Sequence, residues 1–311
     1  MIRPLSIPRN GCWVNSMVRL GILGLSAGNG HPYSWSAIIN GYQPELMENC
    51  GFPVIPRYLE QQQWPGARIQ NAQITHVWCQ DKAIAATIAA TCFIDQVVDD
   101  YKMMIGAVDA ILLARDDAEN HLPMALPFIK AGLPIYIDKP ICLSVNELGQ
   151  LLEQQSYPGQ IFSCSALRYA SELQLSAVQR QQLGQLQHIQ AVVPKDWMRY
   201  AIHIIEPLLL IVGNNKLLSS HRISHEEKCS VTYQWQNGMT AEVIATGSQY
   251  SPIAMRLFGD QGWLDLLFND TFSAFKNTLE AFIDSVITKR AVIDSEFYYR
   301  VVTMLEKGLI Q

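Results

Sequence analysis

No two of the seven cysteines (Cys12, Cys50, Cys79, Cys92, Cys142, Cys164, Cys229) stand in a C-x-x-C pair, and their number is odd. That spacing excludes a zinc knuckle and argues against a disulfide framework, so reduced thiols in a cytoplasmic protein are expected. Charge is also scarce. Asp, Glu, Lys and Arg make up 16% of the chain, the formal net charge is −5, and no basic cluster occurs. Nucleic acid, which needs a concentrated cationic footprint, is not an expected partner. The longest apolar run, residues 207–212, is too short to span a bilayer. The start of the chain lacks the apolar stretch of a signal peptide. There are no repeats, and no His, Asp or Glu spacing makes a metal triad.

What remains is ample for folding. Apolar residues are 49% of 311, more than one core normally holds, so two domains are expected. Residues 1–16 show no periodicity and read as a loose, dispensable arm. Residues 17–156 alternate strand and helix. Strands are expected at 18–25, 74–79, 108–114 (opened by Asp109) and 134–137, and the run at 18–25 has the character of a buried parallel strand. Helices are expected at 34–40, 82–90, 118–131 and 144–155, the last opened by a Ser144/Glu147 capping box. Residues 41–73 read as an insertion with a short helix near 58–63. From 157 to 311 the rhythm changes. Strands are expected at 160–168, 186–193, 217–224, 229–236, 240–246 and 255–268, with Asn237-Gly238 as a hairpin turn. Helices at 200–212, 273–288 and 295–309 complete the chain. The fold class is therefore α/β, a doubly wound parallel sheet followed by an α+β domain with an open, largely antiparallel sheet. Alternation at 229–236 and 240–246 predicts an apolar sheet face that the helices leave uncovered, and hence self-association.

Five groups of residues point to chemistry. The first strand ends in Gly24-x-Ser26-x-Gly28-x-Gly30, where backbone N–H groups and a helix N-terminus can approach a pyrophosphate. Asp81 follows the second strand. It can accept the ribose hydroxyls of NAD and repel a 2′-phosphate, and it equally suits the N-cap of the next helix. Asp116 and His121 follow the third long strand at the same crevice, although acids there also favour the positive end of a helix. Asp138-Lys139-Pro140 ends the next strand, where Lys139 can reach a cofactor or a substrate hydroxyl. In the second domain, Lys195, Arg199, Tyr200 and His203 cluster at the start of a helix. Tyr200 and His203 share a face by i, i+3 spacing, and His is the commonest general acid–base near neutral pH.

With these segments in place, the chain resembles the Gfo/Idh/MocA family, the glucose–fructose oxidoreductase and inositol dehydrogenase relatives. The match runs from about residue 17 to the C-terminus. Asp138-Lys139-Pro140 looks like the family's Glu-Lys-Pro, and the helix from Tyr200 looks like its second-domain His helix. The resemblance implies a Rossmann domain, a second domain that pairs subunits as homodimers or homotetramers, and NAD, with NADP as the alternative. It implies sugar, nucleotide-sugar or cyclitol substrates, and proton transfer assisted by Lys139 and His203. Lys195, Arg199 and Tyr200 are the accompanying candidates for substrate contact. The chain departs from the family in its irregular glycine loop, in Asp138 for Glu, in a short second domain, and in Arg199, which stands where an Asp often precedes the histidine by four residues. The expected activity is hydride transfer between nicotinamide and a secondary alcohol or ketone. The rivals are a dinucleotide-binding sensor or subunit without turnover, and a transferase or lyase on a nucleotide-linked substrate.

Overall fold

The computed structural model describes residues 17–309; the expected arm, residues 1–16, lies outside the described residues. β1 (Val18–Gly24) is buried along nearly its whole length, as its apolar run requires. α1 (His31–Asn40) begins at His31 and not at residue 34. Pro32 occupies its first turn, where a missing N–H costs nothing, and the Asn29 side-chain oxygen accepts the His31 N–H at 2.8 Å. The insertion holds two short helices, α2 (Pro44–Met47) and α3 (Val54–Leu59), the latter upstream of the expected 58–63.

Then follow β2 (Ala72–Cys79), α4 (Lys82–Thr91), the two-residue β3 (Gln96–Val97), β4 (Ala110–Leu113), α5 (His121–Lys130), β5 (Ile135–Ile137), α6 (Val145–Leu152) and β6 (Ile161–Phe162). The expected helix at 118–131 is divided, with a 3₁₀ turn, Ala118–Asn120, ahead of α5. The sheet order is β3-β2-β1-β4-β5-β6, all parallel. The reversal of winding beside β1 places a crevice at the carboxyl ends of β1 and β4. Residues 160–168 are not a strand of the second sheet. Ile161–Phe162 pairs with β5, past residue 156, and Ser165 then caps a 3₁₀ turn, Ala166–Tyr169.

The second sheet is built from β7 (Leu186–Val193), β8 (Leu217–His225), β9 (Lys228–Trp235), β10 (Thr240–Ala245), β11 (Ala254–Gly259) and β12 (Trp263–Leu267), in the order β12-β11-β7-β10-β9-β8. Only the β7–β10 pair is parallel. The single strand expected at 255–268 is a hairpin, broken where Asp260, Gln261 and Gly262 turn the chain between β11 and β12. A helix that the sequence reading omits, α7 (Ala177–Leu183), precedes β7 and carries a complete Ser176/Gln179 capping box. The expected 200–212 helix is two, α8 (Trp197–Tyr200) and α9 (Ile202–Val212), with Pro207 inside α9.

α10 (Thr271–Thr288) and α11 (Ser295–Leu309) close the structure. Phe282 of α10 packs on Tyr136 and Phe162 of the first sheet at ring separations of 5.7 and 5.6 Å, so this helix ties the two halves together. The apolar residues of the second-sheet alternation, Val231, Tyr233, Trp235, Ala241 and Val243, are fully buried within one chain. The outer face is instead mixed, with a Ser230–Glu242 hydrogen bond and an Arg256–Asp265 ion pair. The uncovered apolar face is thus not there, because the helices behind the sheet cover it. All cysteines among the described residues are free and buried. Among these residues no helix is long and apolar enough to cross a membrane, and no group of three or more His, Cys, Asp or Glu is placed to hold a metal.

Candidate functional site

A cavity of about 380 Å³ lies where the glycine loop meets the start of the second domain. The loop after β1 contributes Gly28, Asn29 and Gly30, and the start of α1 His31; the segments after β4 and β5 contribute Asp116 and Lys139; Lys195 comes from the segment ahead of α8, and α8 and α9 contribute Arg199, Tyr200 and His203. Phe52, Ile55 and Tyr58 of the insertion and Phe275 of α10 supply apolar walls.

The loop is shaped by its small residues. Gly28 has φ +80°, and nothing lies within 4 Å of where its Cβ would stand, so its backbone is open to a ligand. At Gly24 the same position is already occupied, since a Cβ would lie 2.3 Å from Pro32. Ser26 does not leave the backbone bare as a glycine would. Its hydroxyl donates to Asp116 Oδ1 at 2.5 Å and accepts the Asp116 N–H at 3.1 Å, joining the β1 loop to the β4 loop. Beside it Arg115 holds Gln80 (2.8 Å) and Asp117, while Gln80 bonds both backbone groups of Leu25.

Asp138 is buried and serves as the anchor of the site. It accepts from Asn29 Nδ2 at 2.8 Å, meets His31 Nδ1 at 2.5 Å, and receives the Lys139 N–H at 2.7 Å. Burial alone would raise its pKa. The His31 imidazole, the Lys139 ammonium and the Asn29 amide outweigh burial and hold the carboxyl below its ordinary range. The His31 ring is clamped between Trp35, stacked at 4.9 Å, and the edge of Phe275 at 5.1 Å. Lys139 Nζ stands 3.8 Å from Asp116 Oδ2. Across the cavity, His203 Nδ1 lies 2.7 Å from Ser165 Oγ, and its ring meets the edge of Tyr200 at 5.3 Å. Loss of water pushes its pKa well below the ordinary value, and Lys139 and His31 push the same way. Lys195 donates to the Tyr200 hydroxyl and covers its ring.

The structure therefore brings Gly28, Gly30, Asp116, Lys139, Lys195, Arg199, Tyr200 and His203 around one space. Four of the expected residues are outside its lining: Gly24, packed on Pro32, and Ser26, tied to Asp116, support the loop, and His121 and Asp81 stand further apart. His121 is buried, with Nδ1 against the Ile141 carbonyl at 3.0 Å and Nε2 against the Arg115 carbonyl at 2.7 Å, so both ring nitrogens are engaged in fixing loops. Asp81 is exposed at the end of β2 and caps α4 by accepting the Ala83 N–H at 2.8 Å. Its other oxygen has no hydrogen-bond partner among the described residues. The sequence reading missed Asn29, His31, Ser165, Gln80 and Arg115. Asn29 and His31 flank Gly30 in the loop already singled out, which was the available signal. An open loop backbone, a carboxylate beyond β2 and a lysine beyond β5 along one crevice fit a dinucleotide.

Residues 55–164 match the model of an oxidoreductase family, GFO_IDH_MocA, with an NAD-binding Rossmann fold. No curated protein matches the chain in sequence. Among solved structures it is similar to myo-inositol 2-dehydrogenase from Lactobacillus plantarum, at 14% identity and TM-score 0.73 over 94% of this chain and 96% of that one. It is also similar to UDP-N-acetylglucosamine 3-dehydrogenase from Acidithiobacillus ferrooxidans, at 14% and 0.69 over 94% and 96%. A third is scyllo-inositol dehydrogenase from Lactobacillus casei with bound NAD(H) and scyllo-inositol, at 13% and 0.68 over 93% and 95%. At such identities the likeness is one of fold, and it spans both domains. The residues matched by the family model run from α3 through β6 and include Lys139, so over this part of the first domain the chain is similar to the NAD-binding Rossmann fold of the Gfo/Idh/MocA oxidoreductases.

Proposed function

We propose that the protein is an NAD-dependent dehydrogenase acting on a secondary alcohol of a sugar, nucleotide sugar or cyclitol, or the corresponding reductase. One observation carries this reading: Lys139 and His203, which come from different domains, line the same cavity as the open glycine loop. NAD, when bound, supplies the hydride acceptor or donor. The chain would hold it with the backbone at Gly24, Gly28 and Gly30, the Ser26–Asp116 pair, and Asp81 at the ribose. Lys139 and His203 contact the substrate oxygen, and Lys195, Arg199 and Tyr200 flank the ring. The substrate class has its support in the solved structures of similar fold, which are dehydrogenases of inositols and of a nucleotide sugar.

The test is a screen of the purified protein with NAD and NADP against sugars, inositols and nucleotide sugars, read by nicotinamide absorbance, together with NADH fluorescence on titration. Substrate-dependent reduction of NAD is expected. Tight NADH binding without turnover on any member of the panel would favour a sensor, and absence of nicotinamide binding would overturn the reading.

A further inference from the structure

We propose that Ser165 fixes His203 with its proton on Nε2, so that His203 meets the substrate oxygen as a hydrogen-bond donor and the hydroxyl proton passes to Lys139. The tautomer follows from hydrogen bonds within the chain. Only its consequence for substrate rests on the dehydrogenase reading.

His203 Nδ1 is taken by Ser165 Oγ at 2.7 Å, which leaves Nε2 as the ring nitrogen free to act in the cavity. Ser165 is fully buried. Its N–H is tied to Glu206 Oε1 at 2.9 Å, one turn further along α9, and its Oγ already accepts the Leu167 N–H at 3.2 Å. If Nδ1 carried the proton, Oγ would accept twice, and the serine's own hydrogen would have no acceptor among the described residues. Buried donors are rarely left so. If the serine donates to Nδ1, each group is satisfied. The ring stays neutral because it is buried and faces Lys139, His31 and Lys195, with Asp138 alone acting the other way. A neutral imidazole whose Nδ1 lone pair is held by a hydroxyl offers an N–H at Nε2 and no free lone pair. It can orient an alcohol oxygen but cannot take its proton. With His203 unable to take it, the alcohol proton passes to the Lys139 nitrogen in the state in which that nitrogen carries a free lone pair. The O–H bond breaks, an N–H bond forms at Nζ, the oxygen keeps the electron pair, and Asp116 stands 3.8 Å away to stabilise the ammonium.

The experiment is nitrogen-detected histidine NMR on the full-length protein without cofactor, with the His203 signals assigned by their loss in His203→Gln. Expected are an unprotonated Nδ1 and a protonated Nε2, a pattern lost in Ser165→Ala and kept in Ser165→Thr. A protonated Nδ1 in the wild type, or an unchanged pattern in Ser165→Ala, overturns the proposal whether or not a substrate is found. Turnover then separates the two roles. A donor at position 203 suffices, so His203→Gln should stay within about tenfold of wild type while His203→Ala loses roughly 100-fold. Equal loss in both would show that His203 takes the proton itself.

Discussion

Lys139 is 6% exposed, held between Asp116 and the cavity, and its backbone N–H is fixed by the Asp138 carboxylate. Lys139→Ala should therefore lower turnover by at least ~100-fold, the scale of lost acid–base help, with NADH affinity little changed by fluorescence; wild-type turnover would remove the residue from the chemistry. Glu206 allows a prediction about stability. Burial raises its carboxyl from 4.5 to about 7, against the opposing pull of Arg168 and the Ser165 N–H. Between those values the folded chain holds a proton that the unfolded chain has released. Stability should thus fall as pH rises through this window, by about 1–3 kcal/mol. Glu206→Gln titrates in neither state, so its denaturation midpoint should lack that part of the slope; identical slopes would contradict the assignment. Asp138, whose pKa is depressed, acts with opposite sign and at lower pH. Residue by residue, the sequence revealed groups whose position follows from local structure. Lys139 ends a strand and His203 sits in the first turn of a helix. It concealed His31 and Ser165, because their partners Asp138 and His203 are remote in sequence and no local period encodes such a meeting.

Elements joined to the site give separable tests. Asp81 caps α4 and is the candidate ribose ligand. Ser is nearly as good an N-cap as Asp, but it carries no charge. Asp81→Ser should keep the melting temperature and narrow the preference for NAD over NADP in binding assays, whereas an unchanged ratio would leave the residue only its cap. The insertion packs directly on the glycine loop: a Cβ on Gly30 would lie 2.6 Å from Ile55 and 2.7 Å from Phe52. Gly30→Ala should force α3 away, costing about 1–3 kcal/mol and weakening NADH binding together. A drop in stability with unaltered binding would separate the insertion from the site. The long apolar strands and the capped helices were legible because each has its own period or terminus. β3 and β6 hold two residues each, too few to show any period. The β11–β12 hairpin was hidden because apolar residues continue on both sides of its turn.

The whole molecule is organised so that neither domain contains the site alone: the β5 end gives Lys139, α9 gives His203, and α10 spans the join through Phe275 and Phe282. We propose that two chains associate through the second sheet, where the apolar residues Trp263 and Leu267 of β12 and Leu218 and Ile223 of β8 are exposed at opposite rims of a mixed outer face. Light scattering at micromolar concentration should give twice the monomer mass, and a monomer mass would refute it. The buried cysteines carry a different consequence. Cys79 and Cys142 are pushed up to about 12 by burial, and Cys164 well above its ordinary value, so neither exposure nor thiolate is present in the folded state. Alkylation at these sulfurs must wait for the chain to open, and its rate measures how often that happens. Cys79 and Cys142 belong to the Rossmann half and Cys229 to the second sheet. Pulse labelling followed by peptide mass analysis would clock the breathing of the two halves separately, in one sample, with reporters the protein already contains.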